Sequence, residues 1–594
     1  MKLRNIIYSL LAGAILFAST GCKKLLEEQP RTFFAPTFFT TNDGLQGGIA
    51  GIYSSFRGQW ATQIFTQLFS SGTDESLKGA AADVQHWFTY NNPVIKSNTN
   101  DYAGFWNTLF IDINTANGVL QYGVDADIPA ATKTQLLAQA KFLRGFCYFY
   151  LVTTFGQVPL HTNFNTSAST ADAPASLADL YTQIIKDLTE SAADLPNIPA
   201  ANTGKPATKP TALFLLAKTY LWRGWSSAAQ PTDFQQAYTI SKGIIDNKAT
   251  YNLDLIPYFG NVFREGQEYS KEVLMVIDHT KDQKYGQNSA PGSGAANGQE
   301  NKSNFFWRPN YPTVNANYPA SGGASVCVRD INNGRPFQRI RPNTKYIIDV
   351  AFANRATDAR YEGTFQTVFL SNSTQMSVRG STGVTTPRGT LINGVDTAVW
   401  IVDRVVTPAE RAAFKGVIFE PEHLAGSTVK WSPSYFPNVR KFNDSTRGDL
   451  NDYSDRPYIL FRFPEVYLIA AEAAFKGGAT MQDAANMINV LRSRAAQKEN
   501  QTPAEYATAL AAQQITAGQV TLDFILDERS RELFAEDCRW WDLSRTKKLV
   551  ERVQLYNSEG SAGVQPFNML RPIPQQQIDL VTQGPPFPQN PGYF

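Results

Sequence analysis

"TKTQLLAQAKFLRGFCYFYLVTTFG", residues 132–156, decides the fold. It reads as one long helix closed by Gly156, with Pro159 just beyond the end. Cys147 within it reads as a small buried hydrophobe, and Arg144 as an isolated charge paired inside the protein. The same pattern extends on both sides. Upstream, "FTTNDGLQGGIAGIYSSF" spaces Leu45, Ile49, Ile52 and Phe56 three or four apart, behind Asn42 or Asp43 as N-cap. "YAGFWNTLFIDINTANGVLQYG" repeats that spacing with Trp106, Phe110, Ile113 and Val119. Downstream come "ADLYTQIIKDLTESAADL" and "KPTALFLLAKTYLWRGW", the latter with Pro210 in its first turn. Helices joined by short loops suggest pairs stacked as in a solenoid, although no strict internal period is present.

The composition changes from about Tyr285 to Ser325, where Gly, Asn, Ser and Pro are punctuated by aromatic residues. A loop this long inside a globular chain is usually functional or disordered. A second soft stretch runs from about Thr374 to Val399. Helices resume at "PYILFRFPEVYLIAAEAAF" and "LDFILDERSRELFAEDCRWWDLSRTKKL". The Pro-rich tail from Pro566 is expected to lie extended over the surface.

The charged block near residue 530 reads as structural. Asp527–Arg531, Glu528–Arg531, Glu536–Arg539 and Asp542–Arg545 fall at helical pairing distances. Glu465 and Glu472 share a helix face as paired catalytic carboxylates would. Their apolar surroundings favour internal pairing instead, for example with Arg462. HExxH and GxSxG are absent, "GSGAANG" misses the dinucleotide spacing, and the four histidines show no metal-ligand spacing. No catalytic residue is assigned, although the two carboxylates of a glycosidase cannot be identified by spacing.

The N-terminus is the second informative region. Lys2 and Arg4 precede an apolar run from Ile6 to Ala18, which is too short for a membrane span of roughly 20 residues. This is the plan of a secretory signal peptide. Ser19-Thr20-Gly21-Cys22 resembles the lipobox of bacterial lipoproteins, with Ser19 where Leu is usual. Cys22 is therefore the expected lipid attachment point, acylated on its sulfur and its freed amino group, because a single acyl chain holds a bilayer only marginally. Cys147, Cys327 and Cys538 are widely separated and form no CxxC pair. The formal net charge of +2 matches the two basic residues of the signal segment, which leaves the rest of the chain neutral. Such a chain has no electrostatic footprint for nucleic acid and no charge-based grip on an anionic membrane.

Five blocks in order resemble the SusD/RagB family, the surface nutrient-binding lipoproteins of Bacteroidetes-type bacteria. They are "LLAQAKFLRGFCYFYLVTTFGQVPL", "KPTALFLLAKTYLW", "PYILFRFPEVYLIAAEA", "LDFILDERSRELFAEDCRWWDLSR" and the closing "LRPIP…QNPGY". The resemblance implies an all-α fold, a tetratricopeptide-like scaffold of helical pairs with long irregular loops forming a ligand-binding face. The implied division is a signal peptide (1–21), a lipid-anchored tether (22–38), an N-terminal helical part (39–280), an aromatic loop-rich insertion (281–330) and a C-terminal part (331–594). It also implies a SusC-like TonB-dependent transporter as partner, an oligosaccharide or peptide as cargo, and an outer-membrane location facing the exterior. The function implied is binding and delivery without catalysis, with a surface glycoside hydrolase as the alternative. No cofactor is implied, and a structural calcium would not be readable from the sequence.

A sugar ring offers an apolar face with polar edges, so flat aromatic rings flanked by amides and guanidinium groups suit it. Two stretches have that chemistry. "DVQHWFTYNN" contributes Trp87 and Tyr90. "SNFFWRPNYPTVNANY" contributes Asn304, Phe306, Trp307, Arg308, Tyr311 and Tyr318, with Tyr285 upstream. They are expected to meet on one face as a shallow platform; the alternative is that these rings pin long loops to the scaffold.

Overall fold

A computed structural model describes residues 36–167, 170–201, 204–280, 301–315, 318, 324–373, 383–426 and 429–593. Cys22, Tyr285 and the signal segment lie outside the described residues. The helices used below are α1 (Asn42–Ser55), α2 (Gln63–Ser70), α3 (Ala103–Tyr122), α4 (Ala130–Phe155), α5 (Leu177–Asp194), α6 (Lys209–Trp225) and α7 (Asp233–Asp246). They continue with α8 (Phe463–Ala473), α9 (Met481–Ala495), α10 (Leu522–Leu533), α11 (Arg539–Arg545) and α12 (Leu549–Tyr556). Short strands are β1 (Val273–Ile277), β2 (Val368–Leu370), β3 (Thr397–Ile401), β4 (Val417–Phe419) and β5 (Tyr458–Arg462).

The scaffold is a stack of antiparallel helix pairs. Among the described residues α1 packs on α3, α4 on α5, α6 on α7 and α8 on α9, and each pair leans on the next. α4 is buried on every side from Phe142 to Val152, as a helix in the middle of a stack must be. Gly156 ends it with a φ of 77°, a conformation costly for any residue with a Cβ. The N-cap of α1 is Thr41, one residue before the expected pair, because its hydroxyl accepts the Gly44 amide at 3.0 Å. Arg144 crosses from α4 to hold Asp187 of α5 through two bonds of 2.7 and 2.8 Å, and donates to Asn117 of α3 at 2.8 Å. One buried guanidinium thus ties three successive helices. Among the described residues no helix is long and apolar enough to cross a membrane.

The pair α8–α9 stacks directly on α7 although residues 247–462 intervene. That excursion leaves and rejoins the scaffold side by side, because β1 and β5 form an antiparallel pair at its base. Its outer part folds around a second apolar core, in which Phe306, Trp307 and Tyr311 pack with the β2–β3–β4 sheet. The tail is not merely draped over the surface. Arg571, Phe587 and Tyr593 are buried, and the Arg571 guanidinium lies 3.9 Å from the Trp540 ring centre.

The charged block pairs mostly across elements. Glu528–Arg531 and Asp542–Arg545 form as expected, at 2.8 and 3.1 Å. Asp527 instead meets Arg552, Glu536 meets Lys441 and Arg462, and Arg539 meets Asp74. Arg462 pairs with neither carboxylate suggested for it. It binds Glu272 at 2.8 Å, Glu532 at 3.0 Å and Glu536 at 2.8 Å, while Glu465 takes Lys218 and Arg529 and Glu472 takes Arg545. The reason is the β5–α8 junction: Arg462 ends the strand and points away from the helix that follows, into the α9–α10 layer.

A different buried carboxyl gives a pH prediction. Asp112 of α3 is buried and, among the described residues, its carboxyl accepts only the Ser55 hydroxyl of α1, at 2.5 Å, so burial pushes its pKa up to about 8. An unfolded aspartate loses its proton near pH 4. The fold therefore holds a proton that the unfolded chain has released, and stability falls as pH rises from about 4 to about 8. Each such group sets a slope of about 1.4 kcal/mol per pH unit. The Asp112→Asn variant should be increasingly more stable than the parent from pH 5 to pH 8. Parallel urea midpoints across that range would refute the assignment.

Candidate functional site: an amide-lined groove

The expected aromatic platform is not formed by the residues proposed for it. Trp87 is fully buried in the main core; its indole N–H donates to Asp101 at 2.7 Å, and Arg571 covers its ring at 4.5 Å. Tyr90 is buried beside it and donates to the Gly72 carbonyl at 2.6 Å. Phe306, Trp307 and Tyr311 belong to the second core, where Trp307 packs on Phe534 and Tyr311 stacks on Phe369. Asn304 is buried next to them, and Tyr318 is half-buried against Phe419 and Tyr435. Trp87 and Trp307 thus lie in separate cores with no ring face open to a ligand. The physical reason is that long segments poor in regular structure must bury side chains of their own to offset their ordering entropy, and these rings supply that area.

Arg308 is the exception that reaches a site. It is buried, and its guanidinium donates to Asn443 at 2.9 Å beneath a surface groove. The groove has two lobes of about 660 and 460 Å³ that share Glu362, Arg440 and Asn443. Its floor is a ladder of amides. Gln366 donates to Asn333 at 3.0 Å and accepts from Asn438 at 3.0 Å and Asn443 at 3.4 Å. Asp330 clamps Asn333 through its backbone and side-chain N–H groups at 2.6 and 3.0 Å. Arg308 and Asp330 therefore fix the ladder from below; Gln366 is saturated by Asn333, Val368, Asn438 and Asn443, and the ladder's remaining donors and acceptor belong to Asn333 and Asn443.

The larger lobe is walled by the turn Phe259–Phe263 and its flanks. Phe259 and Phe263 face inward onto Arg462, Arg494 and Lys441, while Tyr258, Asn261 and Arg264 line the opening. Tyr258 is exposed and Tyr361, in the smaller lobe, is half-buried. The rim carboxylates are engaged: Glu499 takes Arg264 at 2.8 Å, Glu362 takes Lys498 at 3.4 Å, and Glu265 accepts the Ser445 hydroxyl at 2.9 Å. Among the described residues, no cluster of three or more His, Cys, Asp or Glu side chains is placed to hold a metal ion.

Sequence reasoning missed Asn333, Gln366, Arg440, Asn443 and Tyr258. They come from segments far apart in the chain, and no spacing rule connects them. The available signal was modest: amides and an arginine in irregular segments, where exposed polar residues are not explained by packing.

Comparison with known proteins agrees with the fold and spans both halves. The SusD family model matches residues 258–593, and a model described as "Starch-binding associating with outer membrane" matches residues 25–221. The SusD-like protein P2 of Formosa agariphila is 26% identical over 600 residues, covering 99% of each chain. A SusD homologue from Bacteroides thetaiotaomicron superposes with a TM-score of 0.65 at 19% identity, over 92% of this chain and 96% of that one. The surface glycan-binding protein A of the same organism, solved in complex with laminarihexaose, gives 0.62 at 18% identity, over 93% of this chain and 100% of that one. At such identities the two structures speak for the helical, tetratricopeptide-like fold alone. The family model spans more than half of the sequence, and the chain belongs to the SusD family.

Proposed function

We propose that this protein is a non-catalytic binding lipoprotein that captures oligosaccharide at the outer membrane and hands it to a SusC-like TonB-dependent transporter. Acyl chains on Cys22 would hold it at the cell exterior. The observation that carries the reading is the groove over the Asn333–Gln366–Asn443 ladder. Its amides match the mixed donor and acceptor pattern of sugar hydroxyls, and Tyr258 and Tyr361 offer ring surface at the two lobes. Family membership and the relative solved with laminarihexaose support glycan over other cargo. Binding without cleavage fits the rim, where the carboxylates are engaged by cations or a hydroxyl.

The test is a glycan array with the full-length chain, followed by calorimetry on the best-retained oligosaccharide. The double variant Tyr258→Ala/Gln366→Ala should bind it roughly 10- to 100-fold more weakly, because Asn333 and Asn443 are no longer held in place and a ring contact is lost. Its unfolding midpoint should stay close to the parent's. Undiminished affinity in the double variant would place the ligand elsewhere.

A further inference from the structure

Adjacent cations on one short turn are treated in opposite ways. In Arg440–Phe442, Lys441 is buried and ion-paired with Glu536 at 2.7 Å, whereas Arg440 is exposed at the junction of the two lobes. The other cations lining the groove already have carboxylates: Arg264 has Glu499 and Lys498 has Glu362. Arg440 donates only to the Glu362 backbone carbonyl, at a long 3.4 Å, and among the described residues it forms no ion pair. Partial desolvation and the like charge of Arg264 push its pKa down against the opposing pull of Glu362, and that carboxylate is already held by Lys498.

The geometry points to an acidic oligosaccharide as the cargo, with a carboxylate or sulfate group seated on Arg440 while the amide ladder holds neighbouring hydroxyls. This rests on the reading of the groove as a glycan site. A guanidinium presents a planar fork that matches either acid bidentately, and the charge-assisted bonds are stronger than neutral ones. A neutral sugar would use the ladder and leave the Arg440 guanidinium without an ion-pair partner of its own. A peptide carboxylate would also satisfy Arg440, and hexaglutamate below tests that outcome.

The experiment is calorimetry of the full-length chain and its Arg440→Gln, Arg440→Lys and Gln366→Ala variants. The probes are hexagalacturonic acid, a sulfated carrageenan hexasaccharide, laminarihexaose and hexaglutamate. The expected result is tight binding of one of the two acidic sugars, which tells carboxylate from sulfate. Arg440→Gln should weaken it by roughly 10- to 100-fold, Arg440→Lys should recover part of the loss, and added salt should weaken the parent more than Arg440→Gln. Laminarihexaose bound best, with affinity sensitive to Gln366→Ala but not to Arg440→Gln, would overturn the acidic cargo and leave the groove standing. Sugar binding indifferent to both variants, or capture of hexaglutamate alone, would overturn both.

Discussion

Replacing Arg462 with methionine should cost the fold about 3–5 kcal/mol, the range for removing one partner from a buried ion pair. Methionine keeps much of the volume, so the loss would be electrostatic. Glu272, Glu532 and Glu536 all converge on this guanidinium, and Glu272 and Glu532 are fully buried. Arg494 and Arg360 also touch Glu532, which softens the loss without cancelling it. The pH signature has a definite sign. Burial alone would raise the Glu532 pKa, but Arg494, Arg462 and Arg360 hold it at about 2. A folded pKa below the unfolded value of about 4.3 means stability present above that value and lost as pH falls towards 2. The gap between parent and variant should therefore be largest near neutral pH and close with acid. Denaturant midpoints at pH 7 and pH 3 test it; a gap below about 1 kcal/mol at pH 7 would mean that the carboxylates find other compensation.

The second large effect is expected at Asp74. Its carboxylate receives Arg539 of α11 at 2.6 and 2.7 Å and Arg552 of α12 at 2.8 Å. It is fully buried, and the two cations overcome that burial to hold its pKa at about 2. Asp74→Asn leaves two buried guanidinium groups short of an anion, at a cost of about 3 kcal/mol at pH 7. The cost sits at the low end because Glu75 stands 3.6 Å from Arg539. Burial lifts the Glu75 pKa to about 7, and the charge of Asp74 adds to the rise, so Glu75 should ionise more readily in the variant. Asp74→Asn/Glu75→Gln should then lose more than the two single variants together, whereas strict additivity would show that the two carboxyls do not share Arg539.

These two residues also show what was legible in the sequence. The helices were readable because their evidence is local: α4 announces itself by an apolar run, a terminal glycine and a following proline. The solenoid followed from a succession of such segments. The partner of Arg462 was not readable, since Glu272 lies on the far side of the excursion and only the β1–β5 pairing brings the two together. The ligand face failed for a related reason. Trp87 and Trp307 carry the chemistry of sugar stacking, but that chemistry also suits a core, and composition does not tell which side of a ring faces water. Asn333 and Gln366 carry a weaker signal in sequence and become informative only when their side chains are seen to meet.

The strand pair at the base of the excursion has a consequence for how such a protein can change. Residues 278–457 begin and end at adjacent points, so their loops can vary in length with little effect on the seating of α8 against α7, provided the anchors Arg360 to Glu532 and Lys441 to Glu536 are kept. They contribute Asn333, Gln366, Arg440 and Asn443, whereas Tyr258, Arg264, Lys498 and Glu499 belong to the fixed frame. The molecule is thus divided like a tool with an exchangeable jaw: grafting this segment's loops from a relative, with those anchors retained, would replace one side of the grip while the other side, and the handle, stay the same.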